Sequence, residues 1–205
     1  MYIPRHFLVD DRAELLRFMR ANTFAIIVSD DAGSPIATHM PVVVAHEEPL
    51  TLWSHMALAN PQWKTFKGGR EVLVIFQGPH AYISPLLYKN QPSVPTWNYV
   101  AVHAHGTPKI ISDDPAKLAV LAATFEATDP RAKQQWDEAP TDYRTRMLGG
   151  MIAFEIAVTR LEGKYKLSQN RSREDQARVA GALSKESDTL IAQVGKMMAR
   201  NLDVR

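Results

Sequence analysis

The chain has 205 residues, of which 24 are Lys or Arg and 22 are Asp or Glu, and 45% of its residues are hydrophobic, a composition that excludes a disordered or fibrous chain. Because it contains no cysteine, disulfides, thiolate metal sites and thiol nucleophiles are excluded. No stretch reaches the roughly 18 uninterrupted apolar residues of a membrane span, and the N-terminus lacks a basic segment followed by a long apolar run, so we expect a cytoplasmic protein.

The first part of the sequence predicts one helix followed by antiparallel strands. Apolar residues at helical spacing predict an amphipathic helix over residues 11–21. Strand patterns follow at residues 24–29, 36–45, 50–55 and 71–77. The last of these is apolar enough to predict burial on both faces. Turn formers over residues 30–35, with Gly33 available for positive φ, separate the first two strands, and Asn60-Pro61 predicts a short helix before the fourth.

The middle of the sequence predicts further strands, a loop and helices. A strand over residues 81–84 precedes a segment containing Pro85, Pro92 and Pro95, which has too many prolines for a regular element. The patterns that follow predict a strand over 98–111, a helix that starts at 113–115, helical structure over 131–149 and a last strand over 151–161. The sheet is therefore expected to be mostly antiparallel.

The C-terminal segment predicts two helices. Ser172 and Asp175 fit a capping box, and an apolar stripe then follows at helical spacing, formed by Leu190, Ile191, Val194, Met197 and Met198. We interpret the stripe as a face packed on the rest of the fold or on a partner subunit; the alternative is a regulatory or DNA-contacting helix pair. Strands first and helices appended favour an α+β or barrel-type fold.

The charge is unevenly distributed along the chain. The net charge is only +2, but residues 160–205 carry ten Lys or Arg and six Asp or Glu. This asymmetry permits a basic face near the C-terminus, although it is far from the dense basic stripe that binding to a phosphate backbone normally requires.

Several common catalytic signatures are absent from the sequence, and no catalytic residue is assigned. It has no phosphate-binding P-loop, no dinucleotide-binding glycine turn, no nucleophile elbow and no zinc-binding helix. His103 and His105 place two imidazoles on one face of a strand, but a third ligand is not identifiable, so no metal site is predicted.

Polar residues interrupt otherwise apolar strands near their ends, and tryptophans lie nearby in sequence. Such a rim suits a flat heteroaromatic ligand that needs apolar faces and hydrogen bonds at its edges. Lys64 and Lys67, together with free backbone amides at the start of the short helix, could bind a phosphate. The alternative is that the tryptophans belong to the core and the lysines are solvated.

Six ordered blocks carry a resemblance to a known family: Met1-Tyr-Ile-Pro4, Ala37-Thr-His-Met-Pro41, His55 with Ala57, Asn60, Pro61 and Trp63, Gly78-Pro-His-Ala-Tyr-Ile-Ser-Pro85, Val94-Pro-Thr-Trp-Asn-Tyr99, and Lys166-Leu-Ser-Gln-Asn-Arg171. In these blocks the chain resembles the PaiB-like FMN-binding negative transcriptional regulators. The fold of that family is the flavin-binding split barrel also seen in pyridoxamine phosphate oxidases. The resemblance implies a split-barrel domain over residues 1–170 and a C-terminal helical extension over residues 171–205, packed on the barrel or on a dimer partner.

The resemblance also implies a homodimer with FMN in a cleft between subunits. It places Thr38, His39 and Met40 beside the flavin ring, followed on the next strand by Ser54, His55 and Met56, with Lys64 as a phosphate ligand. From the other subunit it implies Trp97, Asn98, Lys166, Gln169 and Asn170. Lys166 or Arg171 near the pyrimidine edge would stabilise negative charge on reduced flavin.

Three functions stay open on the sequence alone. The resemblance implies an FMN-binding repressor, yet the chain shows no helix-turn-helix signal, so the net +4 C-terminal stretch with its two helices is the best candidate for contact with DNA. The second function is a flavin-dependent oxidoreductase, since the cofactor itself carries the electrons. The third is a flavinless barrel that acts as a dimeric interaction module.

Overall fold

The structure, a computed structural model, describes residues 1–89 and 91–203. These residues form seven strands: β1 (Leu8–Val9), β2 (Phe24–Asp31), β3 (Ser34–Glu47), β4 (Leu50–Ala57), β5 (Val72–Ile83), β6 (Thr96–Ile111) and β7 (Met151–Lys166). The helices in the same residues are α1 (Arg12–Ala21), α2 (Asp114–Thr128), α3 (Pro130–Glu138), α4 (Thr141–Gly149), α5 (Arg173–Leu183) and α6 (Thr189–Asp203). Short 3-10 turns span Arg5–Phe7, Pro61–Phe66 and Pro85–Leu87.

The strands form one sheet in the order β1-β7-β4-β3-β2-β5-β6, and a further pairing of β7 with β6 closes six of them into a ring. The registers are antiparallel: Ile26 lies opposite His39 in β2 and β3, and Val42 lies opposite Ser54 in β3 and β4. This confirms the predicted α+β fold with a mostly antiparallel split barrel.

Local signals place most element ends where the sequence predicts them. The chain reverses between β2 and β3 at Ala32 and Gly33, whose φ angles are 52° and 91°. The Asp113 side chain caps α2 by accepting a hydrogen bond from Ala116 N at 3.0 Å. Ser172 caps α5 in the same way, accepting from Asp175 N at 3.1 Å. The helix and turn predictions and the cap of α2 are confirmed. Of the predicted capping box at α5 the Ser172 half is present, while Asp175 Oδ1 accepts from Lys89 N at 2.8 Å.

Three strand predictions were wrong in detail. The strands predicted over 71–77 and 81–84 are one strand, β5, which continues through Gly78 and Pro79. Its first part is not buried on both faces, because Leu73 and Ile75 are half-buried whereas their neighbours on the other face are buried. The last strand does not end at residue 161 but continues to Lys166, where Lys164 pairs with Leu8 of β1.

The described residues fall into two compact units. The first unit consists of Met1–Asp11, Gln77–Val102 and Glu162–Arg205, and the second of Arg12–Phe76 and His103–Leu161. Neither unit is a consecutive segment, and the predicted boundary at residue 170 stays a prediction. Among the described residues no helix is both long and apolar enough to cross a membrane.

Each unit has its own apolar core. In the second unit, alternate residues of β2, β3, β4, β5 and β7 are buried, and the Phe66 and Phe154 rings meet edge to face with centroids 4.9 Å apart. In the first unit α6 packs on α5, and Val194 and Met198 of the predicted apolar stripe are buried, while Leu190 of that stripe stays exposed. Burying these side chains removes apolar surface from water, and this is the largest favourable contribution to the free energy of folding.

Gly106 of β6 lies against the backbone of β7 so closely that a side chain does not fit. A Cβ at this position would overlap Ala157 O and would lie 2.8 Å from Ile156 Cγ2.

Gly106→Ala should lower the free energy of unfolding by about 3 kcal/mol, because the carbonyl of a paired strand cannot move aside without breaking the pairing. Urea denaturation followed by circular dichroism measures this loss. Gly149→Ala is the matched control, since a Cβ there meets nothing within 4 Å. A loss at Gly106 below about 0.5 kcal/mol, within the range of ordinary surface substitutions, would contradict the close approach.

Candidate functional site

The 3-10 turn Pro61–Phe66, which links β4 to β5, is capped and tied to β3 by one side chain. Asn60 Oδ1 accepts a hydrogen bond from Gln62 N at 3.0 Å, and Asn60 Nδ2 donates to Thr38 Oγ1 at 3.0 Å. The turn is therefore fixed at its start and joined directly to one of the residues predicted to lie beside a ligand ring. The predicted short helix after Asn60 is confirmed as this turn.

The turn borders a surface cleft of about 470 Å³. Three cationic side chains line the cleft, Lys64, Lys67 and Arg70, and Thr65 and the acidic residues Asp30 and Asp31 line it as well. Arg70 Nη1 is paired with Asp30 Oδ2 at 2.6 Å, and Lys67 Nζ lies 5.3 Å from the centre of the Trp63 ring, whereas the Lys64 side chain is exposed. Because the three cations outnumber the two carboxylates, the cleft is a chemically suitable site for an anionic group such as a phosphate.

The cleft includes one cation that the sequence analysis did not identify. Arg70 follows Gly68 and Gly69, whose φ angles of 96° and 70° turn the chain back toward the start of β5. Because an L side chain rarely adopts these angles, the two glycines allow the reversal that brings Arg70 beside Lys64 and Lys67. A pair of glycines next to a basic residue is the sequence signal that could have found it.

The three consecutive β3 residues predicted to lie beside a ring are divided between the faces of the strand. Successive side chains of a strand point to opposite faces, so Thr38 and Met40 share one face and His39 lies on the other. Met40 is buried in the core, Thr38 is half-buried and bonded to Asn60, and His39 is exposed with its ring centre 6.1 Å from that of Phe24. A ligand on one face of β3 can therefore contact only part of this set through side chains.

The β4 residues alternate in the same way. Ser54 is fully buried and its Oγ donates to Pro41 O at 2.5 Å, so the hydroxyl joins β4 to β3. Met56 is buried on the same face. His55 lies on the opposite face, half-buried, and its Nδ1 is enclosed with no hydrogen-bond partner among residues 1–89 and 91–203. Burial lowers the pKa of His55 below its ordinary value of 6.5.

The remaining predicted site residues lie in the first unit, around the end of β7. Lys166 Nζ donates to Thr96 Oγ1 and, at 2.5 Å, to Trp97 O. Burial lowers the pKa of Lys166, and the neighbouring charges of Lys164 and Arg171 lower it further. The Lys166 ammonium is therefore held against neutral oxygen atoms and close to two other cations, an arrangement that favours an anionic ligand beside it.

A tight turn follows Lys166 and positions the next predicted residues. Ser168 has a φ of 64°, an uncommon left-handed conformation for a residue with a side chain. The turn is held by Gln169, whose Oε1 accepts from Leu167 N at 2.7 Å and whose Nε2 donates to Tyr165 O at 2.6 Å. Asn98 is fully buried and donates to Ser168 Oγ at 2.9 Å and to Met198 Sδ at 3.4 Å. Both amide side chains therefore stabilise the turn, while Asn170 is exposed.

Trp97 forms part of an exposed aromatic surface in the same unit. It is 53% exposed, and its ring packs edge-on against Tyr82, which is 50% exposed, with centroids 5.9 Å apart. The His80 ring lies 6.1 Å away on centroids. This aromatic surface, formed by His80, Tyr82 and Trp97, can stack against a planar ligand.

The structure thus places the predicted residues in two separate sets. The set that includes Thr38, His55 and Lys64 lies in the second unit, and the set that includes Trp97, Asn98 and Lys166 lies in the first. Each set contains cationic side chains. Which of them touch a ligand stays a prediction.

Comparisons with known proteins identify the family of the chain. Residues 1–160 match the family described as "Putative FMN-binding domain". The chain is 36% identical over 205 residues to the Protease synthase and sporulation protein PAI 2 of Bacillus subtilis, covering 98% of both chains. An uncharacterized protein of Saccharomyces cerevisiae is 31% identical over 151 residues, which covers 61% of this chain and 88% of the yeast protein.

Two solved structures share the fold at low sequence identity. The flavocytochrome Anf3 of Azotobacter vinelandii superposes with a TM-score of 0.64 at 14% identity, covering 80% of this chain and 72% of that one. The FAD and heme binding protein of Mycobacterium smegmatis gives 0.62 at 18% identity, covering 83% and 78%. At this level of identity the two likenesses establish the fold alone.

The enclosed imidazole of His55 should make the stability of the fold sensitive to mild acid. Because its pKa is lower in the folded protein, the unfolded chain binds more protons below about pH 6.5, and the free energy of unfolding should fall as the pH decreases through that range. His55→Gln should flatten the fall, which melting temperatures between about pH 5 and 7 measure. His39→Gln, which removes an exposed imidazole of the same unit, should leave the wild-type slope in place. An unchanged slope in His55→Gln would contradict the assignment.

Proposed function

The chain belongs to the PaiB-like FMN-binding domain family, and from this premise we propose that it binds FMN, with the phosphate in the cleft beside Lys64 and the ring near β3 and β4. The cleft is the observation that carries the proposal. It is lined by Lys64, Lys67 and Arg70, which outnumber the two carboxylates in its wall, and it lies within the residues that match the family. A phosphate monoester is dianionic near neutral pH and is best bound by several cations.

Asn60 supports a ring position near β3, because it bonds both the phosphate-side turn and Thr38. Thr38 is half-buried on the face opposite His39. When bound, FMN would supply one- and two-electron redox chemistry, and the protein would supply binding, orientation and the local electrostatic field. The residues of the second unit would thus bind the phosphate and offer a nearby strand surface on which the planar ring can lie.

We extend the proposal to a homodimer in which the first-unit residues of one subunit complete the flavin site of the other. The aromatic surface of His80, Tyr82 and Trp97 supports this, because a second copy or a flavin would shield its exposed rings from water. Lys166, held near two other cations, is suited to a position beside the part of a flavin that gains negative charge on reduction. In such a dimer both residue sets would meet one ligand.

A regulatory role in the C-terminal helices is supported by their contacts with the same segments. Lys89 N, in the proline-rich loop, donates to Asp175 Oδ1 of α5 at 2.8 Å. The Arg171 guanidinium lies 4.4 Å from the centre of the Tyr88 ring, and Asn98 donates to Met198 of α6. A ligand that contacts the loop or the turn after β7 would therefore bias α5 and α6, which together carry four Lys or Arg against three Asp or Glu. No observation of this kind favours the oxidoreductase alternative.

Lys64→Ala should weaken binding of FMN and leave binding of riboflavin unchanged, because riboflavin lacks the phosphate. Loss of a hydrogen bond to a charged group should raise the Kd for FMN about 10- to 100-fold. Titrations that follow quenching of flavin fluorescence measure both affinities. Lys109→Ala removes an equally charged lysine, 79% exposed at its side chain, and should change neither affinity. An equal loss for both flavins, or no loss for FMN, would refute the phosphate role of Lys64.

Replacing both Lys196 and Arg200 by Glu tests the regulatory role. Both side chains are exposed on α6, so the double variant should fold normally and should bind a random-sequence 40-base-pair duplex at low salt at least tenfold more weakly than the wild type. Electrophoretic mobility shifts with FMN-loaded protein measure this difference. Equal binding of DNA by the two proteins would show that α6 does not contact DNA. If the wild-type protein binds no DNA, the proposed regulatory role is refuted.

A further inference from the structure

The turn that carries Lys64 also contains a glutamine whose side chain is completely enclosed. Gln62 is 0% exposed, although the residues on either side of it are exposed or half-buried. Glutamine is among the residues that usually remain at the surface, since a buried amide loses its hydrogen bonds to water. The burial of this particular side chain therefore requires strong compensating contacts inside the fold.

Those contacts join the turn to two neighbouring strands. Gln62 Nε2 lies 3.0 Å from Ile27 O and 3.1 Å from Ser29 Oγ in β2, and 3.1 Å from Ile36 O in β3. Ser29 and Ile36 lie opposite each other in the antiparallel ladder, so a single amide group spans both strands. The orientation of the amide is fixed, because the reverse orientation would direct its oxygen at two carbonyl oxygens.

The amide oxygen of Gln62 has no hydrogen bond within the described part of the chain, so the position of the side chain is determined by the contacts of its amide nitrogen. Gln62 Oε1 is buried and has no hydrogen-bond partner among the described residues. A buried acceptor without a partner lowers the stability of the fold, so the hydrogen bonds of Nε2 must contribute more free energy than this loss. Gln62 thus places the turn against β2 and β3 rather than merely filling space.

Thr65 links this amide to the wall of the cleft. Its Oγ1 lies 2.8 Å from Ser29 Oγ, an acceptor of the Gln62 amide, and 2.7 Å from Gln62 O. Thr65 and Lys64 both line the cleft, whereas Gln62 does not reach it. The buried contacts therefore run from the strands through Gln62 and Ser29 to the wall of the cleft.

We propose that Gln62 is the positioning residue of the phosphate site: through Ile27, Ser29 and Ile36 it holds the turn so that Lys64 binds the phosphate of a flavin mononucleotide. The inference rests on the proposed FMN site. Gln62 contacts no ligand itself and acts through Lys64. It makes the protein favour a phosphorylated flavin, because the contact between Lys64 and the phosphate depends on where the turn lies.

Gln62→Met tests this role, since methionine fills a similar volume and donates no hydrogen bond. The Kd for FMN should rise about tenfold and the Kd for riboflavin should change less than about twofold, so the preference for FMN should fall about tenfold. Ser29→Ala removes one acceptor of the amide with a smaller change of volume, and should shift the preference in the same direction by a smaller factor. Thr124→Val is the control: it removes a buried hydroxyl bonded to Val120 O in α2, away from the turn.

A double-mutant cycle separates positioning from general destabilisation. If Gln62 acts through Lys64, Gln62→Met should have little further effect on the affinity for FMN once Lys64 is replaced by Ala, whereas independent roles would give additive losses. Fluorescence titrations of the full-length proteins with FMN and with riboflavin give all the required constants, and a melting curve of each variant establishes that it is folded.

The outcomes distinguish this inference from the function on which it rests. Suppose that the wild-type protein prefers FMN. If the Gln62→Met variant keeps the full preference, or if its affinities for both flavins fall equally, the role of Gln62 is overturned and the proposed function is not. If the Gln62→Met variant does not fold, the Ser29→Ala variant decides. An unchanged preference for FMN in the Ser29→Ala variant also overturns the role of Gln62. Wild-type protein that binds neither flavin overturns the proposed function and this inference with it.

Discussion

The candidate site depends on one constraint: a short surface turn must be held in place against two strands of the sheet. Left to itself, a 3-10 turn of six residues has too few internal hydrogen bonds to keep a fixed position. Here two amide side chains hold it, Asn60 at its start and Gln62 in its interior. The cations of the cleft owe their arrangement to this turn and to the two glycines after it. A site for an anion can therefore be formed on the surface without a long loop.

Much of the fold could be predicted because its signals are local. Gly33 at a positive φ, the caps at Asp113 and Ser172, and the turn after Asn60 are each determined by a few neighbouring residues. Strand limits were harder, because they depend on partners far away in sequence. Gly78-Pro79 suggests a break, yet β5 continues because Pro79 lies beyond the residues that pair with β2, Leu73 to Ile75, and no bond to that strand is lost.

The candidate site could be predicted only in part, for a related reason. Alternation along a strand divides Thr38, His39 and Met40 between two faces, and sequence alone did not show which face is open. The burial of Gln62 was not predictable, since nothing in the sequence distinguishes it from an exposed glutamine. Lys166 was assigned to a segment after the last strand, but β7 continues to it because β1 pairs with Gly163 and Lys164. Long-range pairing therefore determines the surroundings of this lysine.

The central claim is that this chain binds FMN, and the visible absorption spectrum of the purified protein tests it most directly. Protein mixed with FMN and separated from the excess by gel filtration should keep a flavin spectrum in the protein fraction, and its melting temperature should rise with the FMN concentration. A colourless protein fraction with an unchanged melting temperature at every FMN concentration would contradict the account.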